Sequence, residues 1–157
     1  MKWVYTSQRK EYANALLDIG QKRTDVVVLD ADLSSSTRTS EFAKKFPERF
    51  FNVGIAEQNL MGTAAGLAVS GKTVFASTFA VFATGRCWDQ IRQSIAYPNS
   101  NVKIVATHAG ITVGGDGASH QALEDIALMR TLPNMYVIVP ADGVEAYKAV
   151  KAVAEHV

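Results

Sequence analysis

An α/β fold, a three-layer αβα arrangement with a mainly parallel sheet, is what this sequence predicts, and three observations predict it. Short apolar runs rich in β-branched residues alternate with stretches of helical periodicity along the 157 residues. The first run, Val26-Val27-Val28-Leu29, is continuously apolar, the pattern of a strand buried on both faces. No Pro/Gly-rich linker or internal repeat divides the chain, so one layered domain is expected.

The elements follow in order. Thr6 and Ser7 offer helix caps, Tyr12, Leu16, Leu17 and Ile19 form an apolar stripe, and Gly20 is expected to end that helix. Val26-Val27-Val28-Leu29 reads as a buried strand. A short helix over 39–46 closes before Pro47, because a residue preceding proline is driven out of the helical region. Residues 49–53 read as a brief strand and 56–70 as a helix stopped by Gly71. Residues 73–77 read as strand and 80–96 as helix, with Trp88, Ile91 and Ile95 at helical spacing. A strand over 102–106, a Gly-rich loop over 109–119 and a helix over 122–130 come next. Tyr136-Val137-Ile138-Val139 completes the strands, and 144–155 is the last helix. A wound α/β domain would continue with another strand, so the chain, one domain over 1–157, is expected to stop short of its last strand and of a C-terminal domain.

Composition removes several classes of function. Sixteen basic against fifteen acidic residues give a net charge of +1, which leaves no footprint for nucleic acid or an anionic membrane. An apolar content of 48% argues against disorder. The single Cys87 excludes an internal disulfide framework and, beside Trp88, reads as an inert half-buried thiol. Met1-Lys2-Trp3 runs straight into polar residues, unlike a signal peptide, and no apolar run approaches the ~18 residues of a membrane span. A soluble, cytoplasmic chain is expected.

Ligands of open parallel sheets bind beyond the carboxyl ends of the strands. Four clusters fall there: Asp30, Asp32 and Ser34 to Ser36; Gly54-Ile55-Ala56-Glu57; Thr78-Phe79 with Phe82; and His108 followed by the loop that carries Asp116 and His120. Each has an ordinary explanation. Glu57 could merely face a helix N-terminus, the two Phe residues could be core, and Asp116 could be a turn residue. Their shared position argues for a ligand site. Gly115-Asp116-Gly117 is not a metal motif here, because no Asn follows at suitable spacing. Neither the usual ATP loop nor the usual dinucleotide loop is present.

Arg9-Lys10, Ala31-Asp32-Leu33-x-x-Ser36, Gly54-Ile55-Ala56-Glu57-Gln58, Thr78-Phe79-x-x-Phe82 and His108-x7-Asp116-Gly117-x2-His120-Gln121 occur in that order. Leu132-Pro133-Asn134 and Pro140-Ala141-Asp142-Gly143 extend the series. Together they closely resemble the pyrimidine-binding domain of transketolase, a thiamine-diphosphate enzyme, and specifically the C-terminal subunit of a split transketolase.

That resemblance implies a two-carbon ketol transfer between sugar phosphates in the pentose phosphate pathway. It gives Glu57 the part of the acid that activates the cofactor's aminopyrimidine. Phe82 resembles the ring stacked on that pyrimidine, Phe79 a second wall, and Asp32 the residue near the thiazolium edge. Arg9 and Ser36 match positions that grip the substrate phosphate. His108, Asp116 and His120 match contacts to substrate hydroxyls and phosphate, with the two imidazoles also counted as catalytic. Where many transketolases carry a third aromatic, this chain has Gly85. The family's cofactor is shared between chains, so a diphosphate-binding N-terminal subunit is the implied partner, holding the magnesium, with homodimer or heterotetramer contacts. The chain alone is expected to be inactive.

Deoxyxylulose-phosphate synthase resembles the loop but usually has arginine at the position of His108. Oxo-acid dehydrogenase E1 β-type domains share the glutamate and match the histidine loop less well. A flavodoxin-like, non-catalytic binding module, with Asp30 and Asp32 as an acidic pocket, would leave Glu57, both Phe residues and His120 without a role.

Overall fold

The structure is a computed structural model that describes residues 5–156. Residues 1–4, on which the signal-peptide reading rests, and residue 157 lie outside the described residues. Four strands form one sheet: β1 (Val26–Asp30), β2 (Phe50–Asn52), β3 (Thr73–Phe79) and β4 (Val102–Thr107). Their order is β2-β1-β3-β4 and every pairing is parallel. The carboxyl ends Asp30, Asn52, Phe79 and Thr107 therefore share one edge. The order reverses between β1 and β3, the place where such sheets open a ligand crevice.

The central strands β1 and β3 are buried on both faces. Val26 and Val28 point to one face with Phe75, where they meet Tyr12, Leu16 and Ile19 of α1 (Gln8–Lys22), Phe42 of α3 (Ser40–Lys45), and Val150 and Ala154 of α7 (Gly143–Glu155). Val27 and Leu29 point to the other with Val74 and Ala76. There they meet Leu60, Met61 and Ala64 of α4 (Glu57–Val69), together with Ile91, Ile95 and Met129. This two-sided burial is why the β1 run is continuously apolar, and the helices on both faces make the three layers.

Three expectations need correction. The first helix continues past Gly20 to Lys22. Arg49 donates to the carbonyls of Gly20 and Arg23 at 2.9 and 2.6 Å, so the helix end finds its partners there. Gly20 serves close packing instead, since a Cβ would lie 2.6 Å from the Phe42 ring and 2.8 Å from that of Phe46. The 80–96 helix is present but wide-wound, with π-helical turns over Phe82–Arg86 and Ile91–Ala96 on either side of α5 (Trp88–Gln90). Residues 136–139 pair with no strand among the described residues. Asn134, with φ of 63°, donates to the carbonyl of Ala96 at 3.1 Å and ties the start of that segment to the helix. A cleft of about 900 Å³, lined by Ile104, Ala106, Met129, Tyr136 and Ile138, separates the segment from β4. Ladder pairing needs neighbours about 4.8 Å apart.

One buried carboxylate organises the loop after β1. Asp30 accepts from the Leu33 amide at 2.6 Å and from the hydroxyls of Thr37 and Thr39 at 2.7 and 2.9 Å. Burial pushes its pKa up, opposed by these hydrogen bonds. They pin the turn into α2 (Ser34–Thr37), which carries Ser36, and leave Asp30 unavailable for an acidic pocket with Asp32. The Asp30→Ala variant is expected to lose about 3 kcal/mol, from one unpaired amide and two weakened hydroxyl contacts. Urea unfolding should show this as a lower midpoint with an unchanged slope.

Candidate active site

Glu57 is the first residue of α4 and is 3% exposed. The chain reaches it through a turn that needs Gly54, whose φ is +74°. Asn52, at the end of β2, holds this approach. Its side-chain oxygen accepts from the amides of Asp32 and Gly54 at 3.1 and 3.0 Å, and its amide nitrogen donates to the Asp32 carboxylate at 3.1 Å. Asp32 is itself exposed with φ of 63°, a left-handed conformation that Asp tolerates better than most residues.

Phe79 ends β3 and Phe82 lies one helical turn on. Their rings are nearly parallel, 6° apart in plane, with centroids 6.1 Å apart. Phe79 is buried, whereas Phe82 is half-buried. His108 leans on Phe79 at 4.0 Å, and His120 meets Phe82 edge-on at 5.1 Å. Each imidazole is fixed at Nδ1 by a neighbouring hydroxyl: Thr107 at 2.8 Å for His108 and Ser119 at 2.9 Å for His120. Nε2 of each has no hydrogen-bond partner among the described residues, so it is the nitrogen a ligand can reach.

Arg9 donates to the main-chain oxygen of Ser36 at 2.8 Å, bringing together the two residues matched to a phosphate grip. Burial lowers the pKa of His108, and the Arg9 charge adds to this while Asp116 opposes it. His108 and His120 thus flank the Phe79–Phe82 pair, with Arg9 and Asp116 near enough to act on His108 through their charges. Asp32 is bound to Asn52, with no contact to the rings among the described residues. Among the described residues no group of three or more His, Cys, Asp or Glu could hold a metal ion. Cys87 is buried, donates to the Phe82 carbonyl at 3.3 Å, and has its pKa pushed up to about 12 by burial, which suits the inert thiol expected of it.

Sequence reasoning missed two residues. Asn52 carries no motif and is recognisable only from its place at a strand end. Arg86 donates to the Glu57 carboxylate at 2.9 Å, and its guanidinium carbon lies 4.6 Å from the centre of the Phe82 ring. Helical counting misplaces it, because the π-helical turn over Phe82–Arg86 shifts the residues that follow. A Cβ on Gly85 would meet nothing within 4 Å, so the place of the third aromatic is open. Trp88 is held elsewhere: its indole donates to the Leu128 carbonyl at 3.2 Å and its ring packs on the cluster that contains Ala83, Cys87 and Met129.

The arrangement fits a flat, nitrogen-bearing aromatic ligand. It offers a buried carboxylate and a half-exposed ring for stacking. The parallel order β2-β1-β3-β4, with a ligand edge at the point where the order reverses, defines a doubly wound α/β domain. Residues 5–157 match the family described as transketolase, pyrimidine binding domain, and the chain belongs to it. A relative from Methanocaldococcus jannaschii, named for the C-terminal section of transketolase, is 60% identical over 153 residues, 98% of this chain and 48% of that protein. Transketolase of Homo sapiens is 43% identical over 93% of this chain and 23% of its own length. A solved structure described as "Split gene transketolase, inactive beta4 tetramer" has a TM-score of 0.85 and 62% identity, covering 97% of this chain and 49% of that one. The chain thus spans about half the length of the first and third of these relatives.

The lowered His108 pKa has a consequence for stability. The unfolded chain holds that proton more tightly, so stability present above the ordinary value of 6.5 is lost as pH falls through the folded-state value. His108→Asn, which keeps a residue tolerant of the φ of 58° found there, is expected to flatten this acid-side decline in urea unfolding measured below pH 6.5.

Proposed function

We propose that this chain supplies the pyrimidine-binding half of a thiamine-diphosphate site in a transketolase divided between two subunits. The observation that carries the reading is the buried Glu57 carboxylate, joined through Arg86 to the half-exposed ring of the parallel Phe79–Phe82 pair. Bound thiamine diphosphate would supply the electron sink that accepts a two-carbon ketol unit. This chain's residues do the rest of the work at its edge.

Glu57 holds or gives up a proton at a ring nitrogen of the aminopyrimidine. Its burial strengthens that hydrogen bond and excludes water from it. Phe82 takes the ring on its face, Phe79 backs Phe82, and Asp32 borders the thiazolium edge. His108 and His120 present Nε2 to substrate hydroxyls and can move a proton there. Arg9, held by the Ser36 main chain, receives the sugar phosphate with the Ser36 hydroxyl and Asp116 beside it. The donor and acceptor are sugar phosphates, and the cofactor's diphosphate and magnesium belong to the diphosphate-binding subunit.

The description of the 62%-identical relative, a split-gene product in an inactive β4 tetramer, supports a division of the site between chains. So does the span of this chain, about half of that relative. The experiment mixes this chain, within its full-length protein, with a diphosphate-binding subunit and follows ketol transfer between sugar phosphates. Activity should require both subunits. Glu57→Gln should lower kcat by about 10²–10⁴ without loss of assembly. Undiminished turnover by that variant, or activity without the second subunit, would overturn the reading.

A further inference from the structure

We propose that Arg86 is a seat-holder: without cofactor its guanidinium occupies the place over Phe82 and against Glu57 that the aminopyrimidine ring takes, and it must swing out before the ring enters. This rests on the thiamine-diphosphate reading of the site and adds to it a positioning residue that sets cofactor affinity.

The geometry carries it. A guanidinium is flat, delocalised and rich in donors, and it stacks on aromatic faces, so it offers the two surfaces an aminopyrimidine offers. Here both are in use at once. Nη1 lies 2.9 Å from Glu57 Oε2, and the guanidinium carbon lies 4.6 Å from the Phe82 ring centre. Glu57 and Phe82 are the same two residues assigned to the pyrimidine. The Glu57 side chain is 4% exposed, and Arg86 is its only charged partner among the described residues. Without that partner, a carboxylate would be buried unpaired.

Arg86 is built to leave. Its side chain is 48% exposed, whereas its backbone is fixed by Gln58, which donates to its carbonyl at 3.2 Å. The adjacent Gly85 opens the space that a third aromatic fills in many transketolases. The arm can therefore swing while the turn beneath it stays in place. A seat kept filled also holds the Glu57 and Phe82 side chains in position and keeps water from the carboxylate until the cofactor arrives. The cofactor must then displace the guanidinium, so its apparent affinity is reduced by the fraction of chains with the arm in.

The test titrates the assembled two-subunit protein with thiamine diphosphate and magnesium by calorimetry. It also follows thermal unfolding with and without the cofactor. Arg86→Ala should bind the cofactor roughly five- to tenfold more tightly than wild type. The same variant should melt earlier than wild type when cofactor-free and recover most of the difference when saturated. Arg86→Lys, which retains the charge on Glu57 but not the flat stack, guards against misfolding of the alanine variant and should tighten binding about two- to threefold. In a Glu57→Gln background the gain from Arg86→Ala should shrink to less than about twofold, since the two residues act as a pair. Weakened or unchanged binding by both Arg86 variants overturns the seat-holder while leaving the thiamine-diphosphate reading intact. Absence of binding by the wild-type assembly overturns that reading, and the seat-holder with it.

Discussion

Parallel pairing of all four strands is the constraint on which the rest of this molecule depends. A parallel sheet with helices on both faces buries its central strands on both sides, so β1 is apolar up to Asp30 and each return crosses over through a helix. Val26 to Leu29 meet that demand by alternating between two separate dry layers. The same constraint delivers Asp30, Asn52, Phe79 and Thr107 to one edge. Within β1 and β3 the polar groups are the buried hydroxyls of Thr73, Ser77 and Thr78, and the one charged group, Asp30, stands at the carboxyl edge.

At that rim the structure manages buried carboxylates in two ways. Asp30 is satisfied by an amide and two hydroxyls, all within nine residues of it, so its role ends with shaping the loop that carries Asp32 and Ser36. Glu57 is satisfied by one cation on a half-exposed arm. The first arrangement is complete, and the second leaves room for exchange of partner. That contrast separates a structural acid from one suited to meet a ligand, although both are fully or nearly removed from solvent.

Much of this was legible in the sequence, and the limits have physical causes. β1 was readable because two-sided burial writes a continuous apolar run, and β3 and β4 because β-branched and aromatic residues between turn signals still mark a strand. Residues 136–139 write the same run and yet stand apart from β4, because pairing depends on where Asn134 and the helix end place the segment, which no local pattern records. Glu57, Phe79, Phe82, His108 and His120 stood out through residue type, order and position at strand ends. Arg86 did not, because a π-helical turn brings it back to Glu57 against ordinary helical counting. Asn52 was hidden for a simpler reason: an Asn at a strand end looks like any turn residue until its three contacts are seen. Gly20 had the right chemistry for a helix stop, but tertiary packing against Phe42 and Phe46 gave it a different use.

The central claim is that Glu57 is the group through which this chain activates the cofactor. The most direct measurement is the rate at which the carbon-bound proton of the thiazolium ring exchanges with deuterated water in the assembled enzyme, followed by proton NMR after acid quench, with no sugar substrate present. The account predicts fast exchange in the wild-type assembly and a rate lower by about 10² or more in the Glu57→Gln assembly, with the cofactor still bound. Equal exchange rates in the two, at full cofactor occupancy, would contradict it.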